Sequence, residues 1–340
     1  MPESSVIDRT KRVSWRVGAE SKLVVLERPV GDPALDFATA AAAGLTDNPR
    51  SLPCRYLYDQ RGSELFERIC QLPEYYLTRT EAGILARHAA DIQQETGSVT
   101  LIELGSGTSA KTDCLLAAYS TNGNSVRYMP VDISESALSV ALRNISERHP
   151  AVQVMGIVGQ YELAFSLFRQ NSPSLVLFLG STLGNFSEQE TVDFLSRLSD
   201  SLSAEDYFLL GIDLVKDEAT LEAAYNDSAG ITAQFTENIF ARMNREFDAG
   251  VDLTGIEHVA TYDSERQQVD VRVRFLKEQV ISINPLQRQV KVPAGEEVKI
   301  EISKKFVLDD LKHELTRFGF EARRVFTDND EKFAVLLLRR

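Results

Sequence analysis

The sequence predicts an α/β protein built on a doubly wound sheet of seven strands, accompanied by a second α+β subdomain. Two observations carry this prediction. Between residues 100 and 215, short β-rich runs alternate with helical segments, which is the pattern of right-handed βαβ crossovers and a parallel sheet. Beyond residue 307, one helical segment precedes two further β-rich runs, which predicts an antiparallel hairpin added to that sheet.

Five apolar or β-branched runs, each bounded by turn or charged residues, predict the buried parallel strands. They are Thr100–Leu104, Val126–Asp132, Val152–Val158, Ser174–Gly180 and Tyr207–Asp213. Helices are predicted between them at Lys111–Tyr119, Glu135–Arg148 and Glu188–Ser201. Near the C-terminus, Leu308–Phe318 predicts a helix that Gly319 ends, and Glu321–Thr327 with Phe333–Arg339 predict the hairpin.

Two other regions lack this alternation. Asp217–Phe247 is predicted to be largely helical, and Val269–Ile283 with Gln289–Ile302 predicts an antiparallel pair or meander. We therefore expect residues 79–215 with 305–340 to form the sheet domain, residues 20–78 with 216–304 to form the second subdomain, and residues 1–19 to form a flexible arm. Ligands of open α/β sheets bind at the carboxyl edge, so a subdomain that caps this edge would enclose the active site.

Composition and charge exclude several classes of function. Fifty acidic against 37 basic residues give the 340-residue chain a formal charge of −13, which disfavours nucleic acid and anionic lipid as partners. No apolar run is long enough for a membrane span, and the first residues show no secretory-signal pattern. The three cysteines form no CxxC motif and the four histidines show no metal-binding spacing. We expect a cytoplasmic monomer without a metal.

A glycine-rich turn follows the first predicted strand of the sheet. Gly105 and Gly107 lie in the string Glu103-Leu-Gly-Ser-Gly-Thr-Ser, which permits a tight turn and close approach of the backbone to a ligand. Position 110 is Ala, so the GxGxxG dinucleotide fingerprint is incomplete. The next strand ends in Asp132, whose carboxylate can accept both ribose hydroxyls of an adenosyl group. The turn resembles motif I of class I S-adenosylmethionine (SAM)-dependent methyltransferases, although a tight turn without a ligand is the alternative.

Longer strings resemble one family, the histidine-specific N-alpha-methyltransferases of ergothioneine biosynthesis. The resemblance runs in order from about residue 50 to the end of the chain, and the ordered combination is more specific than any one string. The strings are residues 58–63 (YDQRGS), 72–81 (LPEYYLTRTE), 103–111, 178–185 (FLGSTLGN), 213–217 (DLVKD), 224–227 (AYND), 230–233 (GITA), 247–259 and 301–306 (EISKKF).

The resemblance implies a Rossmann-like methyltransferase sheet and trimethylation of the α-amine of L-histidine by SAM. The product would be hercynine, and the reaction would be the first step of ergothioneine biosynthesis. The family's SAM site carries over to Tyr58, Gly105, Lys111, Asp132, Gln160 and Tyr161. Lys111 is expected to meet the carboxylate of the methionine part. The family pattern at the adenine is usually Gly-Asp-Phe, whereas this chain has Gly159-Gln160-Tyr161.

The family's substrate site carries over to Tyr75, Asn185, Tyr225, Glu301 and Ser303. Asn185 and Tyr225 are expected to donate to the carboxylate of the amino acid. Glu301 and Ser303 are two residues apart on an extended run, so both face one side and can hold the two ring nitrogens of an imidazole. Tyr75 is expected to act in catalysis by facing the methylated amine. Val271, on a neighbouring strand, is smaller than the residue expected in a typical member.

Taken singly, these residues have other interpretations. Tyr75 and Tyr225 can be core aromatics, Asn185 a turn residue, Glu301 part of a solvated strand face and Lys111 the start of a helix. Two alternative functions also stand beside histidine methylation. One is methylation of a different amino acid or amine with the same donor, and the other is non-catalytic binding of an adenosyl ligand. An NAD-dependent enzyme is disfavoured by the incomplete fingerprint.

Overall fold

The computed structural model describes residues 13–16, 22–25, 33–121 and 125–340. The strands are β1 (Val13–Arg16), β2 (Lys22–Val25), β3 (Thr100–Leu104), β4 (Val126–Asp132), β5 (Val152–Val158), β6 (Ser174–Phe178), β7 (Tyr207–Asp213), β8 (Ile256–Asp263), β9 (Gln268–Phe275), β10 (Gln279–Ile283), β11 (Arg288–Val292), β12 (Glu297–Lys304), β13 (Glu321–Thr327) and β14 (Phe333–Arg339). The helices are α1 (Pro33–Thr46), α2 (Gln60–Ile69), α3 (Leu77–Thr96), α4 (Asp113–Tyr119), α5 (Glu135–Arg148), α6 (Tyr161–Ala164), α7 (Glu188–Ser201), α8 (Glu218–Ala223), α9 (Ile231–Phe247) and α10 (Leu308–Arg317).

The central sheet has the strand order β1-β2-β5-β4-β3-β6-β7-β14-β13. Strands β2 to β7 run parallel to one another, whereas β1, β14 and β13 are antiparallel additions at the two edges. The predicted α/β class is therefore confirmed, and the seven predicted strands occupy consecutive places in the sheet. Strands β1 and β2 extend the edge beyond β5. They were not predicted because runs of four residues are too short to show a clear alternation.

The apolar pattern explains why these runs form central strands. Successive residues of β6 alternate between two apolar clusters, with Leu175 and Leu177 in one and Val176 and Phe178 in the other. Both faces of the sheet are thus covered, and all five residues of β6 are buried. Parallel strands that are buried on both faces have continuously apolar sequences, which is why their boundaries could be predicted closely.

Most boundaries agree with the sequence prediction. Strands β3, β4, β5 and β7 and the two strands of the terminal hairpin match residue for residue. The strand β6 ends at Phe178 instead of Gly180, since Gly180 has a φ of 77° and leaves the extended conformation. The first helix after the glycine-rich turn, α4, begins at Asp113 instead of Lys111.

A second sheet of three strands has the order β12-β9-β8, and β10 pairs with β11. The predicted pairing of residues 269–283 with 289–302 is confirmed as two successive antiparallel ladders, β9 with β12 and β10 with β11. The predicted helical region after residue 217 consists of α8 and α9, which are separated at residues 224–230. Strand β8 was not predicted. The predicted domain boundary at residue 79 falls in the first turn of α3.

The N-terminal residues are described only in part. Of the predicted flexible arm, residues 13–16 form β1, and its other residues lie outside the described residues. Residues 20, 21 and 26–32 of the predicted second subdomain also lie outside them. Within the described ranges, the helices lack the combination of length and apolar character that crossing a membrane requires.

We expect Gly211→Ala to destabilise the protein, because the β7 backbone leaves no room for a side chain there. An added Cβ would lie 2.0 Å from Oε1 of Glu81, a fully buried residue whose Oε1 accepts a hydrogen bond from the Gly180 amide at 2.7 Å. Moving that carboxylate breaks this bond, so the free energy of unfolding should fall by about 1–3 kcal/mol in urea titrations.

Gly83→Ala is the matched control, since Gly83 lies in α3 like Glu81. Apart from its chain neighbours and the backbone of α3 itself, no atom of the described residues lies within 4 Å of a Cβ added at Gly83. This variant should be more stable by about 0.5–1 kcal/mol because alanine has the higher helix propensity. Equal losses in the two variants would contradict the steric explanation.

Candidate active site at the carboxyl edge of the sheet

The glycine-rich turn lies where β3 has β4 on one side and β6 on the other. This reversal of strand order is the usual place for a ligand in an open α/β sheet. Gly105 and Gly107 have φ values of 71° and 51°, in the left-handed region that favours glycine. The amides of Gly105 and Ser106 donate to the Val131 carbonyl at 2.8 and 3.2 Å, which holds the turn against β4. A Cβ at Gly105 would lie 3.0 Å from the Tyr161 hydroxyl.

Asp132 ends β4 beside this turn. Its Oδ2 accepts from the Gly107 amide and its Oδ1 from the Ser134 amide, both at 2.8 Å. Burial raises the pKa of Asp132, and the hydrogen bonds from the backbone amides act against that rise. Each carboxylate oxygen has a further lone pair, so the side chain can also accept hydroxyl groups of a ligand.

Two further features fit an adenosyl ligand at this turn. The Ser106 Oγ is buried without a hydrogen-bond partner among the described residues, so it is free to bond a ligand at the turn. Tyr161 begins α6 and packs edge-on against Phe178, with its hydroxyl over Gly105. Gln160 precedes α6 and is exposed, so its contact with adenine stays a prediction.

Lys111 is held by an acidic side chain that the sequence reasoning missed. Its Nζ lies 2.6 Å from Oε2 of Glu81, and the other oxygen of Glu81 binds the Gly180 amide. Burial lowers the pKa of Lys111, but Glu81, with smaller contributions from Glu103 and Cys70, raises it by more, so the ammonium stays charged. The Lys111 ammonium donates one of its three protons to Glu81, and the other two are available for a ligand carboxylate.

The predicted substrate residues come together from four elements. Tyr75 precedes α3 and packs edge-on against Tyr225, with 6.2 Å between the ring centroids. The Tyr225 hydroxyl donates to Ser303 Oγ at 2.7 Å. This bond uses the one proton of Tyr225, which the sequence reasoning assigned to the carboxylate of the amino acid.

Asn185 and Glu301 also meet. Asn185 ends a single 3-10 turn, Thr182–Asn185, which follows β6 and packs against β12. Burial raises the pKa of Glu301 to about 7, while the Lys305 charge and a hydrogen bond from Asn185 oppose the rise. Val271 is buried and paired with Glu301 across the β9–β12 ladder.

Tyr58 lies between the predicted donor and substrate residues. Its ring packs edge-on against Phe66 and Phe235. Burial raises the pKa of Tyr58, and the nearby acidic groups of Glu301 and Tyr161 add to the rise. The two predicted sites are therefore adjacent, and their tyrosines are neutral at physiological pH.

A buried polar network next to Ser303 was missed entirely at the sequence level. Asp213, at the end of β7, accepts from Lys305 at 2.9 Å, from Lys216 at 2.7 Å and from the Tyr76 hydroxyl at 2.8 and 2.9 Å. Lys305 and Asp213 are both fully buried. Asp213 is the charged last residue of the otherwise apolar strand β7, and that signal could have identified it, because a buried charge requires partners. Lys305 follows β12, in which charged and apolar residues alternate, so its burial left no such signal.

Local sequence explains how these side chains are positioned. Asp217 is the N-cap of α8 and accepts from the Thr220 amide at 2.9 Å, while Asp227 accepts from the Ile231 and Thr232 amides, the first two of α9. Tyr225 is therefore fixed in the short link between two capped helices. The Phe306 amide donates to the Asp213 carbonyl at 2.9 Å, which joins the residue after Lys305 to the end of β7.

The comparison with known families agrees with this geometry. The family described as "Histidine-specific methyltransferase, SAM-dependent" matches residues 37–340. The chain belongs to this family. It is therefore a SAM-dependent histidine methyltransferase, and the family resemblance drawn from the sequence is confirmed.

Three curated relatives extend the comparison. The "Histidine N-alpha-methyltransferase" of Mycolicibacterium smegmatis is 40% identical over 295 residues, which cover 87% of this chain and 92% of the relative. The protein of the same name from Mycobacterium tuberculosis is 38% identical over the same shares of the two chains. "Ergothioneine biosynthesis protein 1" of Neurospora crassa is 38% identical over 198 residues, which cover 56% of this chain and 22% of that protein.

We expect Lys111→Met to weaken SAM binding by about tenfold or more, because the variant lacks the cation that would meet the donor's carboxylate. It should also lower the free energy of unfolding by about 3 kcal/mol, since Glu81 would keep a buried charge without its ion-pair partner. Calorimetric titration with SAM and urea unfolding measure the two effects. Adding Glu81→Gln should restore stability but not affinity. Full recovery of SAM affinity in the double variant would contradict the role assigned to Lys111.

The raised pKa of Glu301 gives a pH-dependent prediction. The folded protein favours the protonated carboxyl, so this contribution to stability is present below the ordinary pKa of 4.5 and is lost as pH rises through about 7. Glu301→Gln removes the titration. The free energy of unfolding of the variant relative to wild type should therefore increase between about pH 5 and pH 7 and level off above. A difference that is flat or falls over this range would contradict the assignment.

Proposed function

We propose that this enzyme transfers three methyl groups from SAM to the α-amine of L-histidine and releases hercynine, as the first step of ergothioneine biosynthesis. The names of the mycobacterial relatives support the α-nitrogen as the acceptor, and that of the Neurospora relative supports the pathway. A neighbouring step would then insert sulfur into the imidazole ring of the product.

The Glu301–Ser303 pair carries the proposal. Glu301 and Ser303 are two residues apart on β12 and face the same side, so a carboxylate and a hydroxyl are presented together. An imidazole has one N–H and one unprotonated nitrogen, and the pair can bond both. A buried site built to bond a ring strongly rejects analogues that lack those atoms, because its own polar groups are then left unpaired.

The other residues orient the amino acid and the donor. We assign the Asn185 amide to the substrate carboxylate, since an amide donates hydrogen bonds without adding charge to a buried site. Lys111, Asp132 and the turn at Gly105 would hold SAM by its carboxylate, ribose and methionine part. When bound, SAM supplies an activated methyl group, so the residues of this chain chiefly have to align the amine with it.

The amine must be unprotonated to attack. Free α-amines have pKa values near ~8, and a dry site next to a positive sulfur favours the neutral form. We propose that water takes the protons released after the first and second transfers; the third methylates a tertiary amine and releases none. Tyr75 is buried and packs against Tyr225 and Phe66. Its ring and hydroxyl would face the growing methylammonium, with cation–π attraction of roughly 0.5–2 kcal/mol.

The test is mass spectrometry of the purified protein incubated with SAM and an equimolar mixture of the twenty amino acids. We expect histidine alone to gain three methyl groups. Histidine that gains only one or two would contradict the trimethylation. A different methylated amino acid would contradict the acceptor, and would direct attention to Val271, which pairs with Glu301 across the ladder.

The Glu301→Gln and Glu297→Gln variants serve as a matched pair in the same assay, because both residues lie on β12. Glu301→Gln should raise the KM for histidine by about tenfold or more, since a carboxylate accepts a ring N–H more strongly than an amide does. Glu297 forms ion pairs with Arg272 and Arg274 near the surface, so its variant should differ little from wild type. Equal KM values in the two variants would exclude ring recognition by Glu301.

A further inference from the structure

The buried ammonium of Lys305 uses all of its protons inside the protein. Its Nζ lies 2.9 Å from Oδ2 of Asp213, 2.7 Å from Oγ of Ser303 and 3.0 Å from the hydroxyl of Tyr225. An ammonium has three donors and no acceptor, so each proton points at one of these oxygens. Burial lowers the pKa of Lys305, but Asp213 and Tyr225 raise it by more, and Lys305 stays protonated.

The direction of hydrogen bonding continues through Tyr225. Its hydroxyl accepts from Lys305 and donates to Ser303 Oγ at 2.7 Å. Ser303 therefore receives two hydrogen bonds, one from the ammonium and one from the phenol. A hydroxyl has two acceptor positions and one donor. Both acceptor positions of Ser303 are occupied, so only its proton is left for a ligand.

We propose that Lys305 is a positioning residue, which forces the Ser303 hydroxyl to act as a donor in the substrate pocket. The pair on β12 then has opposite polarity, with an acceptor at Glu301 and a donor at Ser303. Only a ring with an N–H at one position and an unprotonated nitrogen at the other satisfies both. Lys305 thereby selects the neutral imidazole in one tautomer. The inference rests on the proposed binding of histidine at these two residues.

Asp213 makes this arrangement rigid. It is fully buried, and its carboxylate also accepts from Tyr76 and from Lys216. Lys305 cannot turn its ammonium away from Ser303 without losing contacts to Asp213 or Tyr225. Both lysines bond Asp213, but only Lys305 bonds Ser303, and this difference supplies a control within the same network.

The experiment compares histidine with pyrrol-2-yl- and pyrrol-3-ylalanine as methyl acceptors at saturating SAM. Each pyrrole keeps one N–H and lacks the unprotonated nitrogen that Ser303 would bond. The better accepted isomer serves as the reference substrate. Lys305→Met should raise the KM for histidine by about tenfold while changing the KM for the pyrrole less than about threefold, because one hydrogen bond to the ring loses its fixed direction.

Lys216→Met is the matched control. It removes an ammonium from Asp213 without touching Ser303, and the preference for histidine over the pyrrole should stay within about twofold of wild type. In a Ser303→Ala background, Lys305→Met should have no further effect on that preference, because the two changes act through the same bond. Parallel losses for both substrates in Lys305→Met would mean a merely structural role and would overturn the proposal.

Tyr225→Phe keeps the proposal testable if Lys305→Met does not fold. It removes one of the two hydrogen bonds that Ser303 receives, so the preference for histidine over the pyrrole should fall by about threefold or more. Equal loss for both substrates would place Tyr225 at the carboxylate they share and would overturn the proposal. If the wild-type enzyme does not methylate histidine, the proposed function itself fails. If it does, and only the preference is insensitive, this inference alone fails.

Discussion

The buried ion pair between Lys305 and Asp213 is the constraint on which the rest of the site depends. Placing two charges where both residues are fully buried is costly, and it persists only when every remaining donor and acceptor is satisfied. Tyr76 and Lys216 complete the partners of Asp213, and Ser303 and Tyr225 complete those of Lys305. The pair thereby joins the end of a central strand, β7, to the end of β12, and it determines where Ser303 lies.

Elsewhere in the site, too, each buried positive charge is paired with a negative one. Glu81 compensates Lys111, and Asp213 compensates Lys305, so neither lysine brings an unpaired charge into the pocket. Burial raises the pKa of the surrounding tyrosines, which therefore act as neutral hydroxyl groups and aromatic surfaces. Glu301 differs, since burial brings its pKa to about 7, close to the range in which a histidine ring titrates. A ligand bound at the proposed ring site would therefore shift the balance between the charged and neutral forms of Glu301.

How much could be predicted from the sequence depended on the range of the interactions. The first and last residues of strands β3 to β7 could be predicted closely, because continuous apolar runs reflect burial on both faces of a sheet. The position of Asp132 beside the glycine-rich turn could be predicted, because it ends the strand that follows this turn in the chain, which is a local pattern. Glu81, Asp213 and Lys305 could not be predicted as partners, because their contacts join residues that are far apart in the chain. Strands β1 and β2 were missed because each spans only four residues.

Repeated methylation places a further demand on such a site. Each of the first two transfers replaces an N–H of the amine with a methyl group, and the third converts the tertiary amine to a quaternary ammonium. The reacting nitrogen therefore offers a changing surface for recognition. Contacts to groups that stay constant must therefore hold the acceptor in every round. Under the proposed function, the ring bonds to Glu301 and Ser303 and the carboxylate contact of Asn185 do not change between the first methyl group and the third. Recognition away from the reacting atom lets one pocket bind the amino acid and both of its methylated intermediates in the same orientation.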